Sequence, residues 1–191
     1  MKYVLFVLFF MCSPGFAATS FKMTKESGTT NFLAIGNPSA IRIDGKGEGP
    51  EGTLVAQEKG ENWIVSGDLR VNLKNTDTGI ALRDRHMKEK YLEVGKFENA
   101  VLTVNDLTVP KNTMTKETDT KLPFAGTLDL HGIKKPVQGE FVVKSSKEGV
   151  KMTANFQLKL SDFGIVIPSF AGITVADQVE VNTTSTVERL Q

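Results

Sequence analysis

Residues 151–160 read Lys-Met-Thr-Ala-Asn-Phe-Gln-Leu-Lys-Leu. Met152, Ala154, Phe156, Leu158 and Leu160 fall on one face of this stretch, and Lys151, Thr153, Asn155, Gln157 and Lys159 on the other. Side chains alternate sides only in an extended chain, so the period of two predicts a long strand with one apolar and one wetted face. The same rhythm places Trp63, Val65, Leu69, Val71 and Leu73 against Ser66, Asp68, Arg70, Asn72 and Lys74. Residues 101–107, 124–130, 137–143 and 175–187 also alternate, and shorter extended runs cover 21–26, 31–35, 41–43 and 53–57.

Turn-forming residues separate these runs at short intervals: Asn37-Pro38-Ser39, Gly60, His131-Gly132 and Lys147-Glu148-Gly149. Short links join antiparallel neighbours. The pattern predicts eight to ten strands and one helix, residues 80–90, with Thr78 placed to cap its start. Strands of ten residues each rise roughly 33 Å, and an open sheet of that many would leave edges unpaired and an apolar face that one short helix cannot cover. Closure into an up-and-down antiparallel barrel removes both problems. A β-sandwich is the alternative architecture, but it usually has shorter strands and often a cysteine pair.

The N-terminus has Lys2, an apolar run at 3–11, then Pro14-Gly15 and small residues at Gly15 and Ala17. This is the pattern of a secretory signal peptide cleaved after Ala17, too short to span a bilayer as a stable anchor. Lipoprotein processing at Cys12 fits less well, because Phe9, Phe10 and Met11 before it are bulky. The expected product is one domain, residues 18–191, in the periplasm or secreted. Without Lys2 the 23 basic residues become 22, equal to the 22 acidic ones, and the single cysteine is gone. Thiol catalysis and thiolate metal sites are thereby excluded from the mature chain. Charge neutrality also argues against a nucleic-acid partner, which would need a surplus of Lys and Arg.

Motifs with chemical potential are few. Gly47, Gly49 and Gly52 have dinucleotide-loop spacing, but a strand rather than a helix follows and Glu48 and Glu51 would repel phosphate, so a turn between strands is expected. His86 and His131 are isolated, and no third ligand at sensible spacing turns them into a metal site. No Gly-x-Ser-x-Gly nucleophile turn occurs. Asp77 and Asp84 flank the helix start, where carboxylates meet the helix dipole favourably. The run Arg83-Asp84-Arg85-His86 is either a solvated turn or the polar end of a cavity, with Arg83, Asp84 and His86 pinning the helix across the barrel mouth.

Four segments coincide in order with one family. Thr78-Gly79-Ile80-Ala81-Leu82-Arg83-Asp84-Arg85-His86-Met87 resembles the Arg-Asp-x-His-Leu segment of the YceI-like lipid and polyisoprenoid-binding proteins. Residues 126–137 are similar to its Leu-His-Gly-Val-x-Lys-Pro-Val segment, Ser161-Asp162-Phe163-Gly164 to its Ser-Asp-Phe-Gly, and 176–181 to its last strand. The chain departs at Glu26-Ser27, where the family has His-Ser, and at Glu98, where it usually has Pro. The resemblance implies an extended, lipocalin-like, eight-stranded antiparallel barrel with a short helix near its mouth, exported, enclosing an isoprenoid quinone, a polyprenyl compound or a similar lipid. It leaves room for a homodimer paired through strand edges or the mouth. It implies no cofactor.

Eight-stranded barrels either fill their lumen or hold one ligand. After residue 17 the chain keeps Trp63, Tyr91 and eight Phe, and several inward positions are small: Ala34, Val71, Gly126, Gly139 and Ala154. Under-filled aliphatic walls favour a dry tunnel. A tail burying roughly 300 Å² at about 25 cal/mol/Å² would gain about 7 kcal/mol before losses of freedom, leaving affinity near micromolar. The expected lining is Phe32, Trp63, Leu69, Val71, Leu128, Leu130, Phe141, Met152, Phe156 and Leu158, with Met87, Leu92, Phe163 and Phe170 near the ends. Binding rather than catalysis is expected. The competing readings are a ligand-free interaction module with a filled barrel, and an enzyme acting on an amphiphile through His86 and Asp84.

Overall fold

The computed structural model describes residues 18–37, 41–114, 119–147, 149–170 and 172–190. The expected signal peptide lies outside them. The strands are β1 (Ala18–Met23), β2 (Gly28–Asn37), β3 (Ile41–Glu48), β4 (Glu51–Lys59), β5 (Asn62–Asn72), β6 (Asn99–Pro110), β7 (Thr120–Leu130), β8 (Ile133–Ser146), β9 (Gly149–Lys159), the short β10 (Ser169–Phe170) and β11 (Ile173–Arg189). All the pairings are antiparallel, in the order β1-β4-β5-β6-β7-β8-β9-β11-β2-β3, and β1 also pairs with β11. β1 and β2 are halves of one bent strand, as are β3 and β4, so the sheet closes as an eight-stranded barrel.

The two bends sit against each other. Gly49 donates its N–H to the Lys25 carbonyl at 2.9 Å, and a Cβ on Gly49 would lie 2.6 Å from the Gly28 backbone. The glycines at 47–52, expected to form a turn between separate strands, instead let one strand bend without leaving the barrel. Past the bend, β3 is tied to the segment after β5 by paired backbone bonds between Lys46 and Asp77.

β7 and β8 are joined by His131 and Gly132, both at positive φ (53° and 74°), the conformation of a tight hairpin whose twist matches its strands. The connections at this end of the barrel include the long one between β5 and β6, and they form its mouth. That connection carries α1 (Ala81–His86), followed by a π-helical turn at Met87–Tyr91. The single helix expected over 80–90 is thus divided. Thr78 does not cap it: Ile80 is the N-cap residue and makes no side-chain cap, because Thr78 is committed to Arg83 and Asp84.

The apolar face points inward along every long strand. Met152, Ala154 and Leu160 are buried, while Lys151, Gln157 and Lys159 are exposed.

Candidate functional site

The lumen is divided into two unequal parts. At the base, Leu54, Ala56, Val65, Val104, Leu122, Phe141 and Met152 pack together and leave only about 40 Å³. At the mouth end lies a cavity of about 480 Å³, within the range of sites that hold a drug-sized ligand.

Strand register explains the division. One row of paired residues runs Gly45, Phe32, Val181, Phe156, Gly139, Phe124 across six strands. Large and small side chains alternate along it, the way a narrow barrel accommodates rings. The Phe32 ring lies over Gly45, where a Cβ would collide with it. A Cβ on Gly139 would lie 2.8 Å from both Phe124 and Phe156. The glycine lets those rings meet edge to face at 6.3 Å. Phe124 in turn stacks at 4.3 Å on Phe141, which belongs to the base. Phe156, Phe124 and Phe141 therefore form a continuous aromatic floor between cavity and base.

Of the residues expected along the tunnel, Phe32, Leu69, Val71, Leu128, Leu130, Phe156 and Leu158 line the mouth cavity, and Met87 and Leu92 join them from the helical segment. Trp63, Phe141 and Met152 do not; they belong to the packed base. Phe163 is buried at 1% exposure in the 3-10 turn Leu160–Phe163, away from the cavity wall. Phe170 is in β10, and its side chain lies outside what is described. Sequence reasoning missed several wall residues: Thr30, Ile43, Tyr91, Val175, Val179 and Val181. The last three lie in the alternating run 175–187, and the bulge between Val175 and Val179 sets four residues of β11 against two of β2, which keeps all three on the inner face. Thr30 and Thr183 pair across β2 and β11, hydroxyl to hydroxyl at 2.8 Å, and give the wall a buried polar spot.

The polar rim has a hub. Thr78 accepts from Arg83 Nε at its hydroxyl (2.7 Å) and from Arg83 Nη2 at its carbonyl (2.8 Å). Its own N–H and hydroxyl both donate to Asp84 Oδ1 (2.7 and 2.6 Å). Arg83 and His86 reach the cavity wall, whereas Asp84 braces the loop and is not among the lining residues.

A further carboxylate, Glu93, fastens the mouth. Glu93 meets His131 Nε2 at 3.0 Å and Lys96 Nζ at 2.7 Å. The hydrogen bond from Lys96, then that from His131, holds the Glu93 carboxyl below its ordinary range. The other ring nitrogen of His131 meets the Phe163 carbonyl at 3.1 Å, and Phe97 sits edge-on to the imidazole at 4.5 Å. The residue expected to be only a turn thus joins the hairpin, the helical segment and the Leu160–Phe163 turn. Among the described residues no cluster of three or more His, Cys, Asp or Glu could hold a metal, and no helix is long and apolar enough to cross a membrane.

A closed antiparallel barrel with one end packed and the other hollow, walled by aliphatic and aromatic groups and rimmed by a few polar ones, has the build of a protein that encloses an apolar molecule. Residues 16–187 match the YceI-like domain, and the chain belongs to that family. Solved structures that share its fold include two at TM-scores above 0.6. One is a polyisoprenoid-binding domain from Saccharophagus degradans implicated in plant cell wall breakdown, at 15% identity and TM-score 0.65, covering 89% of this chain and 98% of that one. The other is Burkholderia cenocepacia BcnA, at 13% identity and TM-score 0.61, covering 83% and 95%. Among curated proteins none matches.

Proposed function

We propose that the protein is an exported carrier or buffer for a long apolar amphiphile, an isoprenoid or similar lipid, held in the mouth-end cavity. The observation that carries this reading is the contrast within one lumen: the base is packed, while a wall of aliphatic residues at the mouth is left facing about 480 Å³ of space. A barrel whose only task was to be stable would gain by filling that space, since unfilled apolar volume costs stability in proportion to its size. The polyisoprenoid-binding domain with the same fold supports the ligand class. Export is supported by the signal-peptide pattern of residues 1–17. The chemistry is binding: the wall is apolar, and Arg83 and Asp84 are spent on Thr78.

Solvent extraction of the protein purified from its native host, followed by mass spectrometry, tests this. The expected result is an isoprenoid or fatty chain at close to one per protein, with the protein recovered from the exported fraction beginning at Ala18. An extract without any stoichiometric apolar compound would overturn the carrier reading and favour an interaction module.

A further inference from the structure

We infer that the aromatic floor is a ruler that limits how much of a chain the barrel takes in, so that the protein fits an isoprenoid of about three to four units and gains nothing from longer ones. This rests on the carrier reading and adds to it the ligand's length.

The capacity follows from the cavity. At about 30 Å³ for a water-sized group, 480 Å³ accepts roughly sixteen methylene-sized groups. The base cannot add to that, because only about 40 Å³ remains there. Passage between the two is closed by side chains that are themselves locked. Phe124 and Phe141 are 4% and 1% exposed and stacked on each other. Phe156 is held edge-on to Phe124 across a position where only glycine fits. A rotation of Phe156 toward the base would have to enter space that Phe124 and Phe141 fill, and a packed interior does not yield continuously. A longer chain must therefore leave its excess outside the mouth, in water, where it adds no burial and no affinity.

The ruler sits in named residues and can be moved in both directions. Phe156→Ala removes the ring that faces the cavity and makes room for about one more isoprene unit. Val181→Phe, next to Phe156 in the same register row, takes up a similar amount of space. Phe156 is only partly buried, so its truncation is tolerable to the fold, and the second variant does not depend on the first.

The test is competitive displacement of a fluorescent fatty-acid probe from the purified protein by geraniol, farnesol, geranylgeraniol and geranylfarnesol, with circular dichroism confirming that each variant is folded. For the unaltered protein, affinity is expected to rise at least tenfold from geraniol to farnesol and to change less than about twofold from geranylgeraniol to geranylfarnesol. The length at which it levels off should move up by one unit in Phe156→Ala and down by one in Val181→Phe. Affinity that keeps climbing through geranylfarnesol in the unaltered protein, or a plateau that neither variant moves, overturns the ruler while leaving the carrier reading intact. A probe that binds but that none of the four alcohols displaces likewise overturns the ruler, whereas failure of the protein to bind both the probe and every alcohol overturns the carrier reading itself.

Discussion

Ser161 gives both of its donors to one carboxylate: its N–H reaches Asp177 Oδ1 at 2.8 Å and its hydroxyl reaches Oδ2 at 2.6 Å. The two residues belong to separate stretches of sequence, Ser161 to the turn after β9 and Asp177 to the bulged part of β11. Their bond fixes the connection that passes over the mouth.

The Ser161 hydroxyl, then its N–H, holds the Asp177 carboxyl below its ordinary value of 3.8. A carboxyl whose folded-state pKa is lowered stabilises the fold above its unfolded pKa and loses that contribution as pH falls through the folded one. Glu93 has the same sign. The mouth should therefore loosen below about pH 4 while neutral pH has no effect, given ordinary carboxylate values near 4. Hydrogen exchange at residues 160–167 read across pH 3 to 7 should show this, and Asp177→Ala should show the loosened behaviour already at pH 7. An exchange pattern in the variant equal to that of the unaltered protein would refute the role given to this bond.

Glu93→Ala should have a comparable local effect on the other side of the mouth. It removes the acceptor for His131 Nε2 and for Lys96, so amides of residues 92–97 should exchange several-fold faster. Those of β8 and β9 should stay as they were, since their ladders do not involve Glu93.

Gly139→Ala should destabilise the barrel although it adds one methyl group. The new Cβ would meet the Asn155 carbonyl as well as Phe124 and Phe156. Overpacking of this kind typically costs about 1–3 kcal/mol. Urea unfolding gives the number. A loss below about 0.5 kcal/mol, the usual range for a harmless surface change, would mean that the row is not tightly packed.

Trp63, the single tryptophan, should be blind to ligand. It belongs to the base, with the Lys111 ammonium 5.6 Å from its ring centroid, and the floor separates it from the cavity. Emission from Trp63 should stay within a nanometre or so on saturation with farnesol, whereas a Leu158→Trp reporter on a Trp63→Phe background should shift to the blue. A large shift from Trp63 would place the ligand in the base.

Much of this barrel was legible in residues such as Met152, Phe156 and Leu158, because alternation at period two needs only the local chain. Alternation tells which face a residue takes and nothing about its depth. Trp63, Phe141 and Met152 face inward as expected, yet Trp63 and Met152 sit below the floor and Phe141 forms its underside, since depth is set by how six strands slide into register. The pairing of Phe156 with Gly139, and of Gly139 with Phe124, joins residues from three strands and has no local signal. Thr78 shows a second limit. A threonine before an apolar run reads as a helix cap, but here Arg83 donates to its hydroxyl and carbonyl while its N–H and hydroxyl donate to Asp84, and the helix starts after Ile80. His131 shows a third: its place in a turn was visible in the His-Gly pair, but its bond to Glu93 spans 38 residues.

Photo-cross-linking with a farnesol analogue carrying a diazirine at its tail end, followed by peptide mapping, tests the location of the ligand most directly. Labels are expected on β9 and β11 around Phe156 and Val181, where the tail meets the floor, and on no residue of the base. Labels on Met152 or Trp63, or only on the outer surface, would contradict the account.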